Sequence, residues 1–161
     1  MFHMKHFDVP QLQLNKEQEK EQQFKQKKEK EKMQGYEAKI KEASKELDVK
    51  ERIALKDVSA TQSIDDMSLQ AKEAGARLNI VPSAWAIVEI HNEKSENTDY
   101  EVFVLIDENG QRYSTSSESF RAAFLDIWNE IKGENIPWSI DVIRQESKNF
   151  KGKEFLTCTI V

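Results

Sequence analysis

The 161-residue chain has one cysteine, three prolines, five glycines and three histidines. With Cys158 alone there is no internal disulfide framework, and a cysteine-built zinc site lacks ligands. His3 and His6 stand near the start and His91 ends an apolar run beside a polar loop, so no His or Cys cluster has metal-ligand spacing. No phosphate-cradling glycine loop and no G-x-S-x-G occur. Asp65 and Asp66 read as charges at a helix start rather than as a metal pair. The expectation is a noncatalytic protein with no cofactor and no metal. Nowhere do 18 apolar residues run together, and "MFHMKHFDVPQ" at the start has no apolar core of signal-peptide length. No membrane partner is expected, and a soluble, cytoplasmic chain fits.

Charge is plentiful but mixed. A third of the residues are charged and the formal net charge is −5, with both signs interleaved, so no global field announces a polyanion or a membrane surface. Residues 1–50 carry the densest part, "NKEQEKEQQFKQKKEKEKMQGYEAKIKEASKELDVK", rich in helix formers with little to bury. Met33, Tyr36, Ile40, Ala43 and Leu47 follow one another at three, four, three and four residues, which predicts a helical seam of about two heptads. Met33, Tyr36, Ile40 and Leu47 are therefore the candidate partner-binding residues of a long charged N-terminal helix, for self-association or for a protein partner, in an extension that is helical or partly disordered. Near the start, "VPQLQLN" has the Gln-Leu-x-Leu look of peptides that bind bacterial sliding clamps but lacks the aromatic that usually follows. Coincidence is the preferred reading of so short a pattern. Residues 51–82 read as a connector with one short helix, capped by Ser63 and closed by Gly75.

After Pro82 the composition changes. All three tryptophans, two of three tyrosines and five of eight phenylalanines lie beyond it, so the core is expected in residues 83–161. "AWAIVEIH" and "YEVFVLI" read as strands, and "DENG" turns the second into "QRYSTS" as a hairpin, with Asn109 and Gly110 suited to positive φ. "TSSESFRAAFLDIWNEIKG" then switches period: Phe120, Phe124, Ile127, Trp128 and Ile131 form one apolar stripe of a helix. Thr115, Ser116 or Ser117 offers its cap, and Gly133 its end. "PWSIDVIRQ" and "FLTCTIV" read as two further strands joined by "SKNFKGKE". Strand, strand, strand, helix, strand, strand is the chain order of the OB-fold. The expected fold class is α+β, mainly β: a five-stranded Greek-key barrel with one helix between its third and fourth strands. The last loop then falls at one of the two connections such barrels use for oligonucleotides and oligosaccharides.

That loop has the chemistry single-strand binding needs, with cations to track phosphates and an aromatic face for a base. Lys148, Lys151 and Lys153 supply charge with Arg144 and Arg112, and Phe150, Tyr113 and Trp138 supply faces. The competing reading is a solvated hairpin tip whose lysines keep a sheet edge soluble. From Ile80 to Val161 the chain holds eight Lys or Arg and fourteen Asp or Glu, so any such face is a local basic patch on an acidic body. Most other aromatics, among them Trp85, Tyr100, Phe103 and Phe155, are expected in the core.

On "YSTSSESF", the Trp128 helix and the closing "KNFKGKEFLTCTIV", the part from Ser83 onward resembles small single-stranded-DNA-binding proteins of Gram-positive bacteriophages and mobile elements. The resemblance implies an OB-fold, coating of replication or recombination intermediates in a bacterial cytoplasm, no cofactor, and single-stranded DNA as partner with RNA as the alternative. Two departures stand out: Val161 ends an apparent core strand where such proteins carry an acidic tail, and the charged segment is at the N-terminus. The rival function is a protein-binding adaptor or phage-encoded inhibitor acting through the N-terminal seam.

Overall fold

A computed structural model describes residues 16–27 and 35–161. These fall into two units: Lys39–Glu89 with Tyr100–Val161, and a smaller one made of the described part of Met1–Ala38 with Ile90–Asp99. The smaller unit contains α1, helical over residues 16–27, which exposes every side chain but Phe24 as its composition requires. It also contains the loop 93–98 and Gly35, whose φ of +77° and close approach to the Glu93 side chain leave no room for a Cβ.

Eleven further strands and α-helices follow in order: β1 (Tyr36–Ala43), α2 (Val49–Lys56), β2 (Gln62–Ser63), α3 (Ile64–Glu73), β3 (Leu78–Ile80), β4 (Pro82–Asn92), β5 (Asp99–Asp107), β6 (Arg112–Thr115), α4 (Glu118–Ile131), β7 (Ile140–Glu146) and finally β8 (Glu154–Ile160). Five strands form a sheet in the order β1-β4-β5-β6-β2, and three form a second in the order β3-β7-β8. The class is mixed α+β, with strands predominating. The two sheets are not closed into one barrel, and the edges that closure would join are occupied. β2 runs parallel along β6, and at β8 the Ser119 hydroxyl of α4 donates to the Leu156 carbonyl at 2.7 Å.

The heptad seam does not exist as a helix. Tyr36–Ala43 is a strand beside β4, and "YEAKIKEA" also alternates with period two, burying Ala38 and half-burying Tyr36 and Ile40. An edge of a buried sheet offers backbone partners that an isolated charged helix cannot, so tertiary pairing wins over propensity. Leu47 lies half-buried in the coil before α2, while Met33 and the "VPQLQLN" stretch fall outside the described residues. The stretch read as a connector is structural as well: α2 starts at an Asp48–Glu51 capping box, and Ile64 and Ile80 are fully buried in the core.

α3 starts at Ser63, whose Oγ accepts from Asp66 N at 3.2 Å. The three-way choice at α4 resolves to Ser117, which accepts from Phe120 N at 3.2 Å. Thr115 instead accepts from Ser117 N and donates to Asp65 at 3.0 Å. The β5–β6 hairpin differs from the Asn-Gly turn expected. Only Gly110 has positive φ (81°), Gly110 N donates to Asp107 O, and Asp107 N donates to Gln111 O. That is a three-residue loop with a left-handed third residue. The cause is Asp107, whose buried Oδ1 accepts from Asn109 N and Gln111 N, each at 2.9 Å.

Trp85, Ile87, Phe103, Leu105 and Tyr113 of the large sheet meet Ile140, Val142, Leu156 and Cys158 of the small one, with Phe120 and Phe124 of α4 among them. Ring centroids lie 5.5 Å apart for Phe103–Phe124 and 6.3 Å for Phe120–Phe124. Burial pushes the Cys158 thiol up to about 12, so it stays protonated and packs as a small apolar group. Ala84, Ala86, Val88, Val102 and Val104, on the other face of β4 and β5, are buried too. Both faces being covered explains why "AWAIV" and "VFVLI" lack polar alternation. Phe124→Ala should cost about 3–5 kcal/mol in urea unfolding, while Phe150→Ala, at an exposed tip, should stay within about 0.5 kcal/mol. Equal costs would contradict this core.

Candidate nucleic-acid interface

β7 and β8 pair in continuous antiparallel register from Ile140↔Ile160 to Glu146↔Glu154, and the chain turns between these ends through residues 147–153. Ser147 N donates to Lys153 O at 2.8 Å and closes the loop. Within it Lys153 N donates to Phe150 O at 3.1 Å. Gly152 has φ +81° and Lys151 does not share it, so the turn 150–153 has type II form, which demands glycine at its third position. A Cβ there would meet nothing within 4 Å, so the demand is on backbone conformation alone.

This turn displays Phe150. Its side chain is 62% exposed, and the Lys153 ammonium sits 5.6 Å from the ring centroid. Lys148, Lys151 and Lys153 are exposed on the same seven-residue turn, and neither Lys148 nor Lys151 has a carboxylate partner among the described residues. Glu146 and Glu154 oppose each other at the base, an unfavourable cross-strand pair if left alone. Glu154 is not left alone: Lys72 of α3 binds its Oε2 and Arg144 Nε lies 3.4 Å from its Oε1. Lys72, with Arg144 behind it, holds the Glu154 carboxyl below the usual carboxylate range. With Glu154 matched, the positive charge of the tip is set against Glu146 only.

Of the eight residues read as nucleic-acid contacts, the structure brings Lys148, Phe150, Lys151 and Lys153 together at this tip. The other four have structural duties. Tyr113 is buried, with its ring in the core and its hydroxyl donating to Asp107 Oδ2 at 3.2 Å, and burial raises its pKa. It offers no face to a base. Trp138 is half-buried, its ring 6.1 Å from Trp128 and 6.5 Å from Phe124. Arg112 donates to the Ala54 carbonyl of α2. Arg144 NH1 donates to Asp65 O at 3.1 Å and to Ser68 Oγ at 3.3 Å, which fastens α3 to β7. Strand alternation cannot reveal that a strand is covered on both faces, nor that an arginine is already engaged by helix carbonyls.

Two participants escaped the sequence reading. Lys72 is 82 residues from Glu154, and nothing local links them. Phe155, expected in the core, is 39% exposed because Leu156 and Cys158 hold the inward positions of β8. The alternation of "EFLTCTI" carried that signal.

The connection on the other side of the chain order, residues 93–98, is acidic. There His91 Nδ1 lies 2.8 Å from Asp99 Oδ1 and Nε2 lies 3.7 Å from Glu93 Oε1. Asp99, then Glu93, raises the pKa of His91, a surface side chain held between these two carboxylates. Among the described residues no group of His, Cys, Asp and Glu is placed to hold a metal ion, and no described helix is long and apolar enough to cross a membrane.

Comparison with protein-family models, with curated proteins and with solved structures finds no match to this chain. The site therefore rests on its own geometry.

Glu154 also defines a pH dependence. A carboxyl with a depressed folded-state pKa contributes stability above its unfolded pKa and loses it as pH falls through the folded one. NMR titration should place the Glu154 midpoint below that of an unpaired glutamate, and Lys72→Met should move it back up. A midpoint indifferent to Lys72 would remove the matched charge from the account.

Proposed function

We propose that the chain is a noncatalytic single-stranded nucleic-acid-binding protein that coats replication or recombination intermediates, with the β7–β8 hairpin tip as its contact. The observation that carries this reading is Phe150: a phenyl ring 62% exposed on a glycine-shaped turn, among three exposed lysines, beside a carboxylate already matched by Lys72 and Arg144. A base face-on to such a ring contributes about 1–3 kcal/mol whatever its identity, and lysines track phosphates without reading sequence. Tolerance of sequence is what a coating protein needs.

The topology supports the placement. Only Val81 separates β3 from β4, so residues 78–92 pair with β7 on one side and with β5 on the other, as the long first strand of an OB-barrel does. β5, β6, α4, β7 and β8 then take the remaining order, and the tip falls on the connection between the fourth and fifth strands, a ligand loop of that fold. On this reading the barrel is a partly open one, with β2 filling the position beside the third strand. The strand face that OB-folds commonly use is unavailable here, because Phe103, Val104, Leu105 and Tyr113 are buried. The loop 93–98 holds Glu93 and Glu96 against Lys94 alone and offers phosphate no basic patch. Both features concentrate binding on the hairpin. The adaptor reading loses the helical seam it was built on, since Tyr36 and Ile40 lie on a strand and Leu47 in coil.

Fluorescence anisotropy of a labelled oligo-dT, titrated with the full chain, tests the proposal. Three lysine contacts predict a log K against log salt slope of about −2, from about 0.7 per phosphate on a single strand. Binding should prefer single strand over duplex competitor, and replacing Lys148, Lys151 and Lys153 by Glu should weaken it at least tenfold, by roughly the loss of those contacts. Full-strength binding by the triple variant would sink the assignment of the loop, and no binding by the native chain at low salt would sink the function.

A further inference from the structure

Among the described residues two aromatic side chains stand out as exposed, Phe150 at 62% and Phe155 at 39%, and one hairpin carries both. The register sets Phe155 across from Gln145 and Thr157 across from Ile143. These four stand on the face of the small sheet opposite Val142, Leu156 and Cys158, which are buried. None of the four is acidic, in a chain with 29 Asp and Glu. Glu146 and Glu154 alternate onto the other face, where Lys72 and Arg144 hold Glu154. The first acid on the outward face is Asp141, in the next row, where it accepts from Asn79 Nδ2 at 2.9 Å.

An exposed phenyl on a sheet forgoes burial that its neighbour Leu156, 4% exposed, obtains. Stacking a base on it restores that burial without requiring the protein to change shape. A strand of nucleic acid leaving the lysine tip along this face meets a second ring, two neutral hydrogen-bonding side chains in Gln145 and Thr157, and no carboxylate until Asp141. Running down the opposite face it would meet Glu146 and Glu154 at once.

We infer that the outward face of β7 and β8 is the second half of the nucleic-acid site, in which Phe155 stacks a base beyond the one held by Phe150, and that Asp141 marks where the track ends. This inference rests on the function proposed above. Thr157 and Gln145 would contact sugars or base edges there, which makes the face rather than the tip the place where any base preference arises.

The test is anisotropy with the same labelled oligo-dT on the full chain carrying Phe155→Ala, Phe155→Leu, Thr157→Glu or Phe150→Ala, with thermal unfolding of each as a check on folding. Both Phe155 variants should weaken binding at least about fivefold, the low end of a lost base stack. Thr157→Glu, which sets a carboxylate in mid-track, should weaken it at least as much, with all melting temperatures near native. If Phe150→Ala weakens binding while both Phe155 variants bind normally, the second half-site is wrong and the tip stands. If Phe155→Leu binds normally and only Phe155→Ala fails, the ring serves as apolar bulk and the stacking role is wrong. No binding by the native chain removes the inference together with the function it rests on.

Discussion

The fold turns on the corner at Val81. Residues 78–92 are one stretch of chain serving two sheets, and side-chain and backbone bonds fasten both sides of the bend. Asn79 Nδ2 reaches Ser139 Oγ, Ile140 O and Asp141 Oδ1 on the small sheet, at 3.0, 3.2 and 2.9 Å. Glu108 N donates to Val81 O at 3.0 Å, and the Ser83 hydroxyl, 3.1 Å from the Ile106 and Asp107 carbonyls, donates to that pair. With the corner fixed, the inner faces of the two sheets oppose each other, and the Phe103–Phe120–Phe124 cluster fills the space between them. β7 is then aligned by β3 and β8 by β7, so the hairpin that carries the candidate site inherits its position from a bend more than 60 residues earlier in the chain.

Electrostatics follows from the same arrangement. Arg144 and Lys72 are buttresses: they bind α3 to the hairpin base and in doing so neutralise Glu154. Glu101 plays the corresponding part at another place in the larger unit, where Lys41 Nζ at 2.7 Å and Arg121 NH1 at 3.0 Å clasp it and hold its carboxyl below the usual range. Exposed pairs of this kind add little stability one by one. Their consequence at the hairpin is local charge. An acidic body presents a cationic tip because Glu154 is matched and Glu146 is turned to the other face, and on the proposed function this is how a protein of net charge −5 would hold a polyanion at one place.

Much of the part after Pro82 was legible because its signals are local. The apolar stripe of α4, the glycine turns and the alternation of β7 and β8 each depend on residues within one element. The N-terminal part was misread where a short period-three-and-four pattern, "YEAKIKEA", also fits period two, and only the neighbouring strand decides between them. The site divided in the same way. Lys148, Phe150, Lys151 and Lys153 are close in sequence and therefore close in space. Arg112, Tyr113, Trp138 and Arg144 are placed by α2, the core and α3, whose contacts no single segment encodes. Phe155 was hidden by the expectation that an aromatic in a closing strand faces inward, although Leu156 and Cys158 already hold the inward positions.

The central claim is that the β7–β8 hairpin, and no other surface, meets the nucleic acid. Amide chemical-shift mapping of the labelled full chain during titration with oligo-dT tests it most directly. The account predicts that the largest shifts gather at residues 147–153 and extend along 143–146 and 154–157, with α1 and the loop 93–98 unmoved. Shifts centred on α1 or on that acidic loop, with the hairpin silent, would contradict it.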